Sequence, residues 1–150
     1  MDEYERAASE LKSLIEKIPE EDFVRVVDSK TKDDDCRSVQ TIISHVVNAG
    51  YGYADYLREF FSILSARPVR RLRSRQEFLE RFDAMLQYTA ETLGKRWEMT
   101  EEEIARTVIH SRWGPTYDME QLLEHAIVHV LRHRRQIEKF IAQGMISVRN

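Results

Sequence analysis

Residues 118–144 read DMEQLLEHAIVHVLRHRRQIEKFIAQG, and apolar side chains recur along them at the three- and four-residue spacing of an α-helix. The N-cap of this helix is expected at Thr116 or Asp118. The helix should run to about Gln143, and the following Gly144 is well suited to close it. The segment therefore predicts one long helix near the end of the sequence.

Three further segments show the same helical periodicity. The first ends at Pro19 and presents one apolar stripe, formed by Tyr4, Ala8, Leu11, Ile15 and Ile18. The second covers about residues 39–64 behind a Ser38 N-cap, and its stripe contains Ile42, His45, Ala49, Tyr53, Tyr56 and Phe60. The third ends near Gly94 and carries Phe78, Phe82, Met85, Thr89 and Leu93. Each segment predicts another long amphipathic helix.

The whole chain, residues 1–150, is expected to form one domain, because its length matches that of a single folding unit. No stretch alternates convincingly between apolar and polar residues, so no strand is predicted. Four long helices without strands bury their apolar stripes most simply as an all-α four-helix bundle with long connections. Thr100 and Glu103 have the spacing of a capping box, which predicts one short extra helix.

Composition and charge exclude several classes of protein. With 42% hydrophobic and 33% charged residues and only 5 Gly and 3 Pro, the chain is neither disordered nor collagen-like. Its net charge of -3 gives no reason to expect nucleic acid or an anionic membrane as a partner. The acidic N-terminus lacks the features of a secretory signal, and no apolar run is long enough to cross a membrane. A cytoplasmic protein is therefore expected.

Three of the five histidines, His125, His129 and His133, follow one another at four-residue spacing on the last helix. Each step of four advances about 6 Å along a helix and rotates by only about 40°, so an adjacent pair can chelate one ion. His45 lies in the apolar stripe of the second helix and is expected to face the bundle interior. An inward histidine and a pair on a facing helix are what an interior three-imidazole metal site requires.

Each of these features alone has a simpler explanation. A single inward histidine is more often a hydrogen-bonded core residue than a metal ligand. A histidine pair one turn apart is often an accident of the helix surface. The residues by themselves therefore leave open whether the histidines bind a metal or lie in a core without one.

Two stretches, SVQTIISHV at residues 38–46 and HVLRHRRQI at residues 129–137, resemble the signature stretches of the DinB/YfiT-like superfamily of metalloenzymes. In that superfamily the first stretch leads to a metal-binding histidine and the second supplies two more. The resemblance in length, helix order and motif placement covers nearly the whole chain. Arg135 stands where the superfamily usually has Gly, a change that bears on close packing or substrate access but removes no ligand.

The resemblance implies that His45, His129 and His133 bind a divalent transition metal, with zinc or nickel favoured and iron as a further candidate. It also implies an enzyme that acts on a small molecule, either a transferase with a small thiol as co-substrate or a hydrolase. A homodimer is the expected assembly. The second hypothesis is a non-catalytic metal-binding or dimeric interaction bundle. His125 is a weak candidate for supporting a ligand or handling protons.

Other charged and reactive residues receive plainer interpretations. Five arginines between Arg67 and Arg75 could receive an anionic substrate, but a solvated loop between helices is the preferred interpretation. Glu124 and Glu138 could orient a ligand imidazole, although salt pairs on the helix surface explain them better. Cys36 is interpreted as a bystander, because no Cys-His spacing indicates a nucleophile.

Overall fold

The computed structural model describes residues 1–68 and 74–149. In this part of the chain the fold is an all-α bundle, which confirms the predicted class. The helices are α1 (Asp2–Glu16), α2 (Glu20–Val24), α3 (Val39–Phe60), α4 (Arg75–Leu93), α5 (Glu101–Ala105) and α6 (Met119–Ala142). Two 3-10 helices lie in the connections, at Asp34–Cys36 and Gly94–Glu98. The long helices α1, α3, α4 and α6 correspond to the four predicted segments, and α5 is the short extra helix.

Side-chain caps fix where the two helices that carry histidines begin. Ser38 accepts a hydrogen bond from the Thr41 N–H at 3.1 Å and caps α3, as predicted. Asp118, rather than Thr116, caps α6 by accepting from the Gln121 N–H at 2.8 Å. Each cap pairs an amide that has no partner within its own helix.

The helix α3 ends at Phe60, before the expected end near residue 64. Ser62 adopts a left-handed backbone conformation with φ of 56°, and the Ile63 N–H donates to the Arg58 carbonyl at 2.8 Å. This pairing belongs to the Schellman motif, which terminates many helices. The apolar residues beyond Phe60 continue the periodic pattern in the sequence, but the backbone has already turned.

The core lies between the four long helices, where α3 packs against α4 and α6, and α1 packs against the same two helices. Fully buried side chains include Leu11, Ile43, Leu57, Phe82, Leu122 and Ile137. Gly50 lets α3 and α4 approach closely, because a Cβ at this position would lie 2.5 Å from Met85 Sδ. Within the described ranges, none of the helices combines the length and the apolar character needed to cross a bilayer.

A short hairpin joins α5 to α6, although the sequence pattern predicts no strand. Ile109–His110 (β1) pairs with Thr116–Tyr117 (β2) in an antiparallel ladder, and the Ser111 N–H donates to the Pro115 carbonyl at 3.1 Å. Two residues in each strand are too few to show an alternation of polar and apolar positions. The prediction of a chain without strands is therefore wrong for the connection between α5 and α6. The hairpin packs against α3 and α6.

Beyond α6 the chain folds back onto α2. The Ser147 N–H and Oγ both donate to Asp22 Oδ2 at 2.7 Å, and Arg25 donates to the other carboxylate oxygen at 2.6 Å. These hydrogen bonds lower the pKa of Asp22 to about 2. The carboxylate thus anchors the segment that follows the last helix.

The arginine-rich connection is described only at its two ends. Arg67 Nε lies 3.6 Å from Asp55 Oδ2, and Arg75 Nε lies 3.7 Å from Glu20 Oε2. The other three arginines of the predicted cluster lie outside the described residues. Both described ends are therefore engaged by carboxylates on the bundle.

Candidate metal centre

Three histidines from two helices converge on one side of the bundle. His129 and His133 lie one turn apart on α6, and His45 lies on α3. Their ring centroids are 4.6 to 5.1 Å apart, and one nitrogen of each ring lies within 4.8 Å of the others. The structure brings the three predicted ligands together, and a metal ion could be held between them.

One pair of ring nitrogens has a separation that fits a shared ion. His45 Nε2 and His129 Nε2 are 3.0 Å apart. With metal–nitrogen bonds of about 2.1 Å, two ligands that subtend about 90° to 110° at one ion have nitrogens about 3.0 to 3.4 Å apart. Imidazole nitrogen is a donor that zinc, nickel and iron accept. The donor type of all three residues and the separation of the His45 and His129 nitrogens therefore both suit a transition metal.

A carboxylate orients the first of these rings. His45 Nδ1 lies 3.0 Å from Oδ2 of Asp35, in the 3-10 helix that precedes α3. Because a carboxylate only accepts, the hydrogen is on Nδ1, and the lone pair of Nε2 points toward the other histidines. Such a carboxylate–histidine pair fixes both the tautomer and the ring orientation of a metal ligand. The role of Asp35 was not predicted, because an acidic run ahead of a helix gives no local signal of which ring it contacts.

An amide orients a second ring. His133 Nδ1 lies 3.0 Å from Gln136 Oε1, so Nδ1 donates to the amide oxygen and Nε2 is left as the ligand atom. The same Gln136 oxygen lies 3.8 Å from Cys36 Sγ, and Asp33 Oδ2 accepts from that thiol at 3.4 Å. Burial raises the pKa of the Cys36 thiol. Cys36 therefore stands beside the ligands as a protonated thiol, and not as an activated nucleophile.

The surroundings keep two of the histidines neutral. The pKa of His129 is lowered to about 3, mainly by burial and to a lesser extent by the neighbouring histidines and Arg132. Burial also lowers the pKa of His133, against the opposing effect of its hydrogen bond to Gln136. A neutral imidazole has the free lone pair that a metal requires. Both rings are thus in the binding form at neutral pH.

The three histidines line the wall of an open cleft. Its volume is about 460 Å³, and the remaining lining residues are Asp33, Cys36, Arg132, Arg135, Gln136 and Lys139. His133 is 5% exposed, whereas the His45 side chain is 34% exposed. The expectation that His45 faces the bundle interior therefore needs correction. The ring lies at the edge of the core, because the fully buried face of α3 passes through Ile42 and Ile43 instead.

His125 lies apart from the three-histidine cluster and belongs to an aromatic group. Its ring stacks on Trp113 at a centroid distance of 5.6 Å, and its Nδ1 lies 3.3 Å from the Tyr117 hydroxyl. The centroid of the Tyr53 ring lies 5.4 Å from that of His125 and 5.8 Å from that of His129. Because of these contacts, the aromatic group supports the His129 ring from the side of the hairpin.

The remaining predicted residues separate into surface pairs and cleft residues. Glu138 lies 3.2 Å from Arg134 Nε in an ion pair along α6, as the plainer interpretation expected. Glu124 and His110 are exposed, and neither is in the three-histidine cluster. Arg135 is exposed at the mouth of the cleft. The substitution of Arg for the usual Gly therefore adds a cation to the rim.

Three protein ligands leave positions on an ion for other molecules. Sites with three ligands and an open position are typical of catalytic metals, whereas structural metals are usually enclosed by four. Within the described part of the chain, no fourth His, Cys, Asp or Glu joins the cluster. The arrangement is therefore suited to presenting a bound ion to a molecule in the cleft.

Comparison with known proteins agrees with this geometry. No match was found among curated proteins. A family model described as the DinB family matches residues 1–144, which include all three histidines of the cluster. On this match, which covers nearly the whole sequence, the chain belongs to the DinB family.

Proposed function

We propose that the protein is a metal-dependent transferase that joins a small thiol to an electrophilic small molecule. One observation carries this proposal: His45, His129 and His133 converge on the wall of a cleft of about 460 Å³. A volume of this order is typical of sites for small molecules. Membership of the DinB family and the three-histidine cluster both support a metal-binding protein.

A divalent ion in this position would act as a Lewis acid and lower the pKa of a bound thiol or water. The imidazoles contribute no negative charge of their own, so they leave the positive charge of the ion available to an anionic thiolate. In the transfer a sulfur–carbon bond forms as the bond from that carbon to the leaving group breaks. The proton of the thiol passes to solvent, which reaches the site through the open cleft.

The protein's own residues would hold the site ready for this chemistry. Asp35 and Gln136 fix the rings of His45 and His133 by hydrogen bonds to their Nδ1 atoms. Tyr53 packs beside His129. Orientation of the ligands before binding reduces the entropy that must be lost when the ion binds. We propose zinc or nickel as the ion, with iron(II) as the third candidate, since the donor set suits all three.

Two other functions fit the same residues. A hydrolase would use water in place of the thiol at the open position. A non-catalytic bundle would bind the metal, or form a dimer, without turnover. The transferase is preferred to the non-catalytic bundle because the cleft is open and because the cluster has no fourth protein ligand among the described residues. The homodimer also remains a prediction.

Metal analysis of the purified protein tests the proposal first. We expect about one divalent ion per chain in the wild type and in a His110→Ala control, because His110 is an exposed histidine outside the cluster. In a His129→Ala variant the metal content should fall to a small fraction of that value. The same three proteins are then assayed with a panel of small thiols and a chromogenic aryl halide.

The outcomes distinguish the three functions. Thiol-dependent turnover that is lost in His129→Ala and retained in His110→Ala supports the transferase. Turnover of an ester without added thiol supports the hydrolase instead. Bound metal without turnover in either assay supports the non-catalytic bundle. A protein without metal after expression in metal-replete medium would contradict all metal-dependent versions.

A further inference from the structure

A row of basic side chains on α6 borders the cleft next to the histidines. Arg132, Arg135 and Lys139 all line the cleft. Their spacing of three and four residues places them on one face of the helix, along about 10 Å of its axis. The row therefore begins at the turn that carries His129 and His133 and runs away from it toward the end of the helix.

No carboxylate neutralises this row in the described structure. Among residues 1–68 and 74–149, no acidic group forms an ion pair with Arg132, Arg135 or Lys139. Arg134, on another face of the same helix, behaves differently, because it pairs with both Glu10 and Glu138. The absence of partners is thus a property of the cleft face and not of α6 as a whole.

The charges at the cleft are correspondingly unbalanced. Among the described residues that line the cleft, Asp33 is the single carboxylate, against three cations. Asp33 already accepts hydrogen bonds from the Cys36 thiol and the Asp35 N–H. An ion held by the histidines would add further positive charge. The cleft therefore attracts an anion, and at close range its two guanidinium groups can bind carboxylate or phosphate oxygens in pairs.

We propose that Arg132, Arg135 and Lys139 form a recognition site for a carboxylate or phosphate group of the molecule that reacts at the histidine cluster. The site selects a small anionic substrate or co-substrate, with Arg132 nearest to the ligands and Lys139 farthest along the row. Assignment of the anion to the reacting molecule rests on the proposed function, whereas the binding of an anion by the row does not. Arg135 makes this chain more cationic here than a chain with Gly at the same position.

The test compares an anion with a neutral molecule of similar shape. Succinate and its uncharged diamide are titrated into the full-length protein, with and without zinc, and binding is followed by NMR chemical shifts. We expect succinate to bind the wild type at least about tenfold more tightly than the diamide. In an Arg132→Gln/Arg135→Gln variant the affinity for succinate should fall about tenfold, while zinc stoichiometry is unchanged. Higher salt should weaken the binding in the wild type.

A matched control removes the same number of charges elsewhere. The Lys95→Gln/Arg106→Gln variant changes two exposed cations that do not line the cleft, and its affinity for succinate should equal that of the wild type. Parallel titration with inorganic phosphate tells whether phosphate oxygens are accepted as well as carboxylates.

Two results would overturn the inference. The first is equal affinity for succinate in the wild type and in the Arg132→Gln/Arg135→Gln variant. The second is equal affinity of the wild type for succinate and the diamide. Failure of the proposed function has a different signature, because a protein that binds no zinc can still bind succinate through the arginines. Conversely, normal zinc binding with no effect of the arginines removes the anion site alone.

Discussion

Two faces of α6 differ sharply in what surrounds them. One face carries Leu122, Ala126, Val130 and Ile137, each no more than 1% exposed in the bundle core. The other carries His129 and the cations at the cleft, which are half-buried or exposed. His133 lies on the border between them, 5% exposed yet still part of the cleft lining. A single helix thus separates the residues that stabilise the fold from those that could bind a metal and its substrate.

The largest expected effect is on the core face. Leu122→Ala should lower the free energy of unfolding by about 2–5 kcal/mol, because it removes a fully buried side chain and leaves a cavity. Val128→Ala, on the same helix but 61% exposed, should change it by less than about 0.5 kcal/mol. Chemical denaturation of the metal-free proteins measures both values. The contrast between the faces would break down if the folded Leu122→Ala protein no longer took up zinc.

The next effect concerns the cleft face. Asp35→Asn should weaken zinc binding about 10- to 100-fold, because the carboxylate that orients His45 is lost. The unfolding free energy of the metal-free protein should hardly change. Asp34→Asn is the matched control, since its carboxylate pairs with Arg37 instead. Competition with a zinc chelator measures the affinities, and equal values for the two variants would show that Asp35 does not orient the ligand.

A smaller effect should appear in the pH dependence of stability. The pKa of His129 falls to about 3 in the folded protein, mainly through burial. The unfolded chain therefore binds a proton below about pH 6.5 that the folded chain does not bind until about pH 3, and stability decreases as pH falls across this window. For one half-buried group the slope should stay below about 1.4 kcal/mol per pH unit.

Substitution of His129 by glutamine sharpens this comparison. Without the imidazole, the metal-free His129→Gln protein should show a flatter pH dependence than the wild type between about pH 3 and 6.5. His110→Gln, altered at an exposed position, serves as the control. Denaturation at a series of pH values gives both curves. An unchanged slope in His129→Gln would mean that protonation of the half-buried ring does not lower the stability of the wild type at acidic pH.

The smallest effect should be found at a contact that does not line the cleft. Ser147→Ala should lower the free energy of unfolding by about 1 kcal/mol near neutral pH, because it removes the hydroxyl that donates to Asp22. The pKa of Asp22 is lowered to about 2, so this stabilisation is present above pH 4 and is lost as pH falls through about 2. Comparison of the two denaturation curves at pH 7 and pH 2 checks this. A difference that persisted unchanged at pH 2 would contradict the role of the carboxylate.

The helices and the histidine pair on α6 could be predicted because their signals are local. Caps such as Ser38 and Asp118 can be recognised by their residue type and by their position just before a periodic segment. The pair on α6 follows directly from four-residue spacing. Placement of His45 beside that pair came from the resemblance to a family, since no local pattern tells which helix faces which.

The missed features depend on contacts through space or on backbone geometry. Asp35 reaches His45 only because the 3-10 helix folds against α3, and a run of three aspartates in a sequence looks like a solvated linker. The early end of α3 depends on the left-handed conformation of Ser62, which residue type rarely signals. Helical periodicity also does not separate a position at the edge of a core from one at its centre, so His45 was expected to be buried more deeply than it is.

The wide separation of the histidines along the chain has a mechanical consequence. His45 and His129 are 84 residues apart in sequence, so an ion bound to both would cross-link two distant segments of the chain. Closing so long a loop costs conformational entropy, and the folded chain has already lost that entropy before the ion binds. A ligand that binds only the folded form increases the free energy of unfolding, and the increase grows with the ligand concentration. The concentration of free metal would then add to the folded stability of the bundle, independently of any reaction at the site.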